Sequence, residues 1–140
     1  MYSPTDNEEL NINDATAEID YCDKVIKLKY ETEPPHGDFI YSVKICGANQ
    51  SDVNLPFWVY GRNIRFRNHY VVFDAVQKNT TDCFSLIVDL IAVKYLRSID
   101  WYNNFELIDN AFYFSNSFSN KDLKIAFENI EMQDWVFFGK

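Results

Sequence analysis

The longest apolar stretch of the chain covers residues 81–98 and reads TDCFSLIVDLIAVKYLRS. Its large apolar residues at helical spacing are Phe84, Ile87, Val88, Ile91 and Tyr95. This period predicts one long amphipathic helix, with Ile91 in the core and Asp89 on a narrow solvent-facing edge. A threonine at its start can cap the helix, and basic residues near its end suit the negative pole of the helix dipole.

An alternation of apolar and polar residues precedes this stretch. Residues 26–31 and 39–45 alternate and predict two half-buried strands, joined by a proline-rich connection at residues 34–37. Residues 57–73 predict a hairpin that turns near Gly61, and its second arm continues from residue 64 to residue 76. Four strands before the long helix favour an antiparallel sheet.

The last third of the chain has weaker patterns. Residues 101–109 are typical of an irregular aromatic connection, and residues 111–118 of a strand. Ser119 or Asn120 can cap a short helix that follows, and residues 135–138 are a last strand or an apolar tail. The predicted fold class is therefore α+β: a mostly antiparallel sheet packed against one long core helix and one shorter C-terminal helix.

The length of 140 residues, of which 47% are hydrophobic, predicts a single globular domain. Residues 1–23 contain seven carboxylates and no lysine or arginine. We therefore expect residues 1–20 to be an acidic N-terminal arm, mobile or ordered only against a surface. Residues 21–140 are expected to form one α+β domain.

The charge balance narrows the class of partner. The formal net charge is −8, and residues 99–140 hold seven acidic side chains against three basic ones. Nucleic-acid binding usually requires a basic face, so we expect no nucleic-acid partner. An acidic surface instead suits a basic protein, which it attracts over a long range.

Cysteine usage and the N-terminus bear on the compartment and on metal binding. Cys22, Cys46 and Cys83 are widely spaced, and no CxxC pair indicates a zinc site. The N-terminus lacks the basic-then-apolar pattern of a signal peptide, so we expect reduced thiols and a cytoplasmic protein. Asp89 and Lys94 interrupt the longest apolar stretch, and we expect no membrane-spanning segment.

Three basic residues on the strand predicted over residues 64–76 form the first candidate site. Arg65, Arg67 and His69 alternate along that strand, so we expect all three side chains on one face of the sheet. Two guanidinium groups and an imidazole could bind a phosphate or carboxylate, or assist a hydrolysis with His69 as the acid–base group. The simpler alternative is a charged, solvent-facing strand surface.

A second candidate site lies in the acidic C-terminal third. Its residues, which are carboxylates interleaved with aromatic rings, are Asp100, Trp101, Tyr102, Glu106, Asp109 and Tyr113. Rings can fill pockets of a partner protein, while carboxylates steer a basic partner toward them. The alternative is that these rings only cover the core.

The motifs that usually indicate catalysis are missing: there is no nucleophile elbow, catalytic-cysteine signature or glycine-rich phosphate loop. We therefore expect no cofactor, no metal and no enzymatic turnover. The preferred interpretation is a protein-binding domain, such as a small acidic inhibitor or immunity-type protein that blocks a basic partner. The alternatives are a ligand-binding, anion-binding or hydrolytic domain that uses Arg65, Arg67 and His69, and a structural subunit or homo-oligomer.

Overall fold

The computed structural model describes residues 1–32, 39–47 and 51–138, and the connection predicted at residues 34–37 lies outside these ranges. Within them the chain forms fourteen strands and one helical element, a six-residue 3-10 helix at Phe127–Met132. The first seven strands are β1 (Glu9–Leu10), β2 (Thr16–Tyr21), β3 (Lys24–Thr32), β4 (Ile40–Gly47), β5 (Val53–Asn54), β6 (Trp58–Tyr60) and β7 (Ile64–Arg67). The other seven are β8 (Tyr70–Val76), β9 (Cys83–Asp89), β10 (Lys94–Arg97), β11 (Asn104–Ile108), β12 (Ala111–Ser115), β13 (Asp122–Ala126) and β14 (Val136–Phe137).

The predicted α+β fold class is wrong, because the described residues form a β-rich fold without a long helix. In place of the core helix, residues 81–98 form β9, a turn and β10. The predicted C-terminal helix is wrong as well, since β13 occupies much of that segment and only the 3-10 helix follows it. None of the described residues belongs to a helix with the length and hydropathy of a membrane span.

The helix prediction for residues 81–98 is wrong because strand β9 is buried on both faces. Phe84, Leu86 and Val88 belong to one buried cluster, whereas Ile87 belongs to a second cluster on the opposite face. A strand of this kind is a continuous apolar run in the sequence, and periodicity alone does not distinguish such a run from a buried helix.

The burial of Asp89 and Ile91 is the opposite of what the helix prediction implied. Asp89 is only 2% exposed, and its Oδ1 accepts hydrogen bonds from the backbone N–H groups of Ile91 and Ala92, both at 2.9 Å. Ile91, which was predicted to lie in the core, is 64% exposed in the turn between β9 and β10. The carboxylate of Asp89 therefore stabilises this turn from the inside.

The larger sheet joins eleven strands. Its continuous path has the order β14-β10-β9-β8-β6-β4-β3-β2, with β5 on β4 and with β7 between β8 and β1. Strand β8 pairs first with β7, for example through Arg65↔Val72, and then with β6 through Val59↔Ala75. Strands β11, β12 and β13 form a separate three-stranded antiparallel sheet.

Residues 1–20, which we expected to be an arm, include β1 and most of β2 and lie along the large sheet. The Tyr2 backbone N–H donates to the Glu18 carbonyl at 2.9 Å, and the Asp20 N–H donates to the Tyr2 carbonyl at 2.8 Å. Strand β1 then pairs with β7. The N-terminal segment therefore connects β2 with β7, two strands that are not neighbours in the sheet.

The end of the β2–β3 hairpin also contacts β7. The ring of Tyr21 packs edge-on against Phe66, with centroids 4.9 Å apart. The Tyr21 hydroxyl donates to Asp6 Oδ1 at 2.6 Å, and burial together with this hydrogen bond raises the pKa of Tyr21. Since β2 and β7 are distant in strand order, these contacts show that the sheet curls around one core.

Two main buried clusters result from this arrangement. The first lies inside the curled sheet, and its largest members include Ile19, Ile26, Tyr41, Phe66, Phe73 and Phe84. The second lies between the outer face of the large sheet and the three-stranded sheet, and it contains Tyr70, Val72, Ile87, Phe112, Phe114, Ile125 and Ile130. Strands β8 and β9 contribute to both clusters and are the central layer of the molecule.

A pair of substitutions distinguishes the observed strand from the predicted helix. Leu86→Ala should lower the free energy of unfolding by about 2–5 kcal/mol, because Leu86 is fully buried and a cavity would remain. Ile91→Ala should change it by less than about 0.5 kcal/mol, because the side chain is exposed. Urea denaturation of both variants measures the difference, and a larger loss for Ile91→Ala would contradict this strand arrangement.

Gly61→Ala should destabilise the protein by about 1–3 kcal/mol through overpacking. A Cβ at this position would lie 2.3 Å from the carbonyl oxygen of Ile12 and 2.7 Å from a ring carbon of Tyr41. The Ile12 N–H also donates to the Gly61 carbonyl at 2.6 Å, so the N-terminal segment must shift. Thermal denaturation and limited proteolysis of residues 1–12 measure the effect; unchanged stability and cleavage would show that the segment is not held there.

Candidate functional site

Alternation along β7 places two arginines on its outer face. Ile64 and Phe66 are fully buried in the first core, so Arg65 and Arg67 point away from it. Both arginines are half-buried, because other elements approach them from outside. They therefore lie at the margin of the region that the three-stranded sheet covers.

A groove runs between β7 and the edge strand β11, and we call it the β7–β11 groove. It consists of two adjoining cavities, of about 590 Å³ and about 260 Å³, that share Arg65 and Phe105 in their walls. The larger cavity also contains Arg67 and Asp109, and the smaller one contains Asn63. The groove thus brings together residues from both sites predicted in the sequence.

Aromatic rings flank both arginines in this groove. The guanidinium carbon of Arg65 is 5.5 Å from the centroid of the Phe105 ring, and that of Arg67 is 5.4 Å from the centroid of the Phe127 ring. The attraction between a guanidinium group and an aromatic face is favourable, and stacking on the ring holds the guanidinium plane in one orientation. The rings therefore help to position the positive charges.

Asp109 lines the groove because it lies in a two-residue turn. Ile108 pairs with Ala111, and the intervening Asp109 and Asn110 have φ angles of 52° and 55°. Two consecutive positive φ angles are typical of a type I′ hairpin turn, which aspartate and asparagine tolerate better than most residues. The turn places the exposed carboxylate of Asp109 at the end of β11.

The charges of the two arginines are satisfied differently. Arg65 forms an ion pair with Glu9, with Nη2 at 2.9 Å and Nε at 3.0 Å from the same carboxylate oxygen. Arg67 donates from Nη1 to the Asn7 side-chain oxygen at 3.0 Å, and its Nε is buried without a hydrogen-bond partner. Within the described ranges, no carboxylate oxygen lies within 4.0 Å of Arg67.

The other arginines of the chain each have a carboxylate partner. These pairs are Arg62 with Asp74, Arg65 with Glu9, and Arg97 with Asp82. Arg67 is therefore the exception among the described residues, and it lies in the wall of the larger cavity.

His69 does not join the two arginines. The strand predicted from residue 64 to residue 76 is divided by a two-residue turn at Asn68 and His69, and Asn68 has a φ of 55°. The imidazole Nε2 lies 3.5 Å from Asp89 Oδ2, and His69 is not among the residues that line the groove. The turn thus removes His69 from the face that Arg65 and Arg67 share.

His69, Asp89 and Glu131 offer side-chain atoms that could coordinate a metal ion, and these atoms lie within 4.8 Å of one another. The ammonium group of Lys94 hydrogen-bonds Glu131 and lies 4.0 Å from Asp89 Oδ2. The Tyr70 hydroxyl donates to the second oxygen of Glu131 at 3.3 Å. A positive charge is therefore already supplied by the chain itself, and the group is an ion-paired cluster that holds the 3-10 helix against the sheet.

The acidic and aromatic residues of the second predicted site are dispersed. Asp100 forms an ion pair with Lys121 at 3.0 Å. The Trp101 indole N–H donates to Asp74 Oδ1 at 3.3 Å, so the ring is turned toward the large sheet. Tyr102 packs against a core phenylalanine of β12 and is half-buried. These three residues belong to the connection that precedes β11 and face different neighbours.

The remaining members of that predicted site lie on the three-stranded sheet. Glu106 and Tyr113 are directly opposite each other in the register of β11 and β12, on the face turned away from the core. The Tyr113 hydroxyl donates to Asp122 Oδ2 at 3.0 Å, and this hydrogen bond raises the pKa of Tyr113. Glu106 and Asp109 both line the larger cavity of the β7–β11 groove, whereas Tyr113 does not.

Sequence reasoning missed two residues of the groove and the hairpin that shapes it. Asn7 and Phe127 contact Arg67 from segments distant in sequence, and no local pattern indicates such contacts. The hairpin did have a signal, because Asp109 and Asn110 separate two runs of alternating residues.

The ion-paired cluster should make stability depend on pH through Glu131. The hydrogen bond from Lys94 lowers the pKa of Glu131 below its ordinary value of 4.5. The contribution of the Glu131 carboxylate to the free energy of unfolding is therefore complete above pH 4.5 and is lost as the pH falls through the lowered pKa. Glu131→Gln should reduce the free energy of unfolding at pH 7, and its difference from wild type should shrink below pH 4.5. Urea denaturation from pH 3 to 7 measures this, and a constant difference would contradict it.

What the β7–β11 groove can bind depends on its own side chains. It offers a guanidinium group without a carboxylate partner in the described residues, aromatic rings beside both arginines, and one edge of strand β11.

No protein-family model, curated protein or solved structure matches the chain.

Proposed function

We propose that this protein is a non-enzymatic binding domain, and that its ligand brings a carboxylate or phosphate group to Arg67 in the β7–β11 groove. The observation that carries the proposal is the state of Arg67. It is the arginine without a carboxylate neighbour among the described residues, and it lies in the wall of the largest groove cavity. A permanently charged guanidinium group can donate two parallel hydrogen bonds to the oxygens of a carboxylate or a phosphate group.

The dimensions and walls of the groove support a ligand with an apolar body. A cavity of about 590 Å³ lies in the range usual for small-ligand sites. The rings of Phe105 and Phe127 form apolar wall surface beside Arg65 and Arg67. An aromatic or aliphatic carboxylate could pack its body on these rings while its charged group reaches Arg67.

The chemistry of arginine supports binding over turnover. The guanidinium groups of Arg65 and Arg67 remain protonated in proteins, so they hold an anion but do not exchange protons with it. His69, the residue predicted to act as an acid–base group, faces Asp89 and is absent from the walls of the groove. We therefore favour binding over the hydrolytic alternative.

A second candidate function is capture of a basic protein, as in the inhibitor or immunity-type interpretation. It is favoured by Glu106 and Asp109, two exposed carboxylates on the rim of the same groove. The net charge of −8 would attract such a partner over a long range. In that case the rim would carry the contact and Arg67 would contribute little.

Benzoate and phenyl phosphate should stabilise the wild-type protein, because each combines an aromatic body with an anionic group. By mass action, an anion present at 100 times its Kd adds about 2.7 kcal/mol to the free energy of unfolding. Arg67→Gln should abolish this stabilisation, which thermal denaturation measures as a shift in Tm. Benzamide, which is neutral and of similar shape, should shift Tm little.

The matched control for Arg67→Gln is Lys78→Gln, which removes the same charge from an exposed turn between β8 and β9. This control variant should retain the anion-dependent shift. Equal shifts in the wild type and in Arg67→Gln, or no shift with either anion, would overturn the proposed anion site.

A further inference from the structure

Strand β11 has one backbone edge that borders the β7–β11 groove. Strand β11 pairs with β12 along one edge, and no backbone hydrogen bond in the described residues uses its other edge. All five residues of β11 line the two groove cavities. Since side chains alternate between faces, consecutive residues can all line one groove only if the backbone edge of the strand faces it.

The register of the β11–β12 hairpin shows which backbone groups face the groove. In a two-residue hairpin the pair next to the turn, here Ile108 and Ala111, exchanges both hydrogen bonds, and such pairs alternate along the strands. Glu106 is therefore bonded to β12, whereas the N–H and C=O groups of Phe105 and Leu107 point to the free edge. An unpaired edge of this kind is a template for another strand.

Strands β7 and β11 run along the groove in the same direction. The smaller cavity is lined by Asn63 and Asn104, and the larger one by Arg67 and Asp109, so both strands lead from the first cavity to the second. The floor from residue 63 to residue 67 is about 13 Å long at the usual rise of an extended chain. This length accommodates about four or five extended residues.

We propose that the ligand of the groove is an extended peptide segment of a partner protein, which pairs with the free edge of β11 and gives one Asp or Glu carboxylate to Arg67. This inference rests on the proposed function, because it uses the same anion site. Arg65 is already neutralised by Glu9, so one acidic side chain suffices. The rim carboxylates of Glu106 and Asp109 disfavour a polyacidic segment, and neutral or basic residues should flank the single acid.

The test uses the full chain and the capped peptide acetyl-Thr-Val-Glu-Val-Thr-amide. NMR hydrogen exchange should show slower exchange of the Phe105 and Leu107 amides on binding, with Glu106 as the internal control already bonded to β12. The backbone N–H groups of an extended peptide alternate between its two edges, and N-methylation removes them as hydrogen-bond donors. Two further peptides, each N-methylated along one edge, are therefore compared with the unmethylated peptide. The peptide methylated on the edge that pairs with β11 should bind at least tenfold more weakly.

The side-chain anchor is tested with the Glu→Gln peptide and with Arg67→Gln, each of which should weaken binding at least tenfold. Binding that neither N-methylated peptide weakens, unchanged exchange of the Phe105 and Leu107 amides, or no binding at millimolar peptide would overturn strand pairing. If benzoate still raises the Tm of the wild type in that case, the anion site stands without the peptide. Protection of both amides without any dependence on Arg67 would instead overturn the anchoring of the peptide by Arg67, and the anion site itself would then be decided by the benzoate measurement.

Discussion

The pairing of β8 with β9 is the constraint on which the rest of the structure depends. Their ladder runs without interruption from Tyr70↔Asp89 to Val76↔Cys83, and both strands lie between the two main buried clusters. Within this ladder the pair Phe73↔Leu86 faces the inner core, whereas Val72↔Ile87 faces the outer one. Two apolar faces require two covering layers, which are the curled remainder of the large sheet and the three-stranded sheet.

The β7–β11 groove lies where the outer layer ends. On the outer face, Val72 of β8 is covered by the three-stranded sheet. The residue that pairs with Val72 on the adjacent strand β7 is Arg65. The change from an apolar to a basic side chain between adjacent strands marks the boundary of the covered area. Strand β11 is the edge of the covering sheet beside this boundary, and its free edge therefore borders the arginines.

Electrostatic pairing gives the groove its chemistry. In a chain with a net charge of −8, carboxylates are plentiful, and three of the four arginines have one within 4.0 Å. Arg67 instead has an amide oxygen, an aromatic ring and a buried Nε without a partner. A partly desolvated cation without an anion in the described residues is a cost to folding, and an external anion would offset it.

Local patterns in the sequence correctly predicted strands that have one face buried in the core and the other face exposed to solvent. The alternation in residues 26–31 predicts a half-buried strand, and β3 (Lys24–Thr32) has this burial. The same rules fail for residues 81–98, because β9 meets apolar surroundings on both faces and lacks alternation. A short helix was likewise predicted where β13 pairs with β12, since a tertiary ladder outweighs weak helical spacing.

The candidate site was only partly accessible from the sequence. The spacing of Arg65 and Arg67 placed both on one face of a strand, because residues two apart in a strand share a face. The sequence by itself therefore determined which arginines lie side by side and that the chain is strongly acidic. Only the tertiary structure decided that Glu9 neutralises Arg65, whereas Arg67 donates a hydrogen bond to the side-chain oxygen of Asn7. Asn7 and Arg67 are 60 positions apart in the sequence. Such contacts depend on the N-terminal segment lying along β7, and long-range pairing of this kind leaves no periodic signal in the sequence.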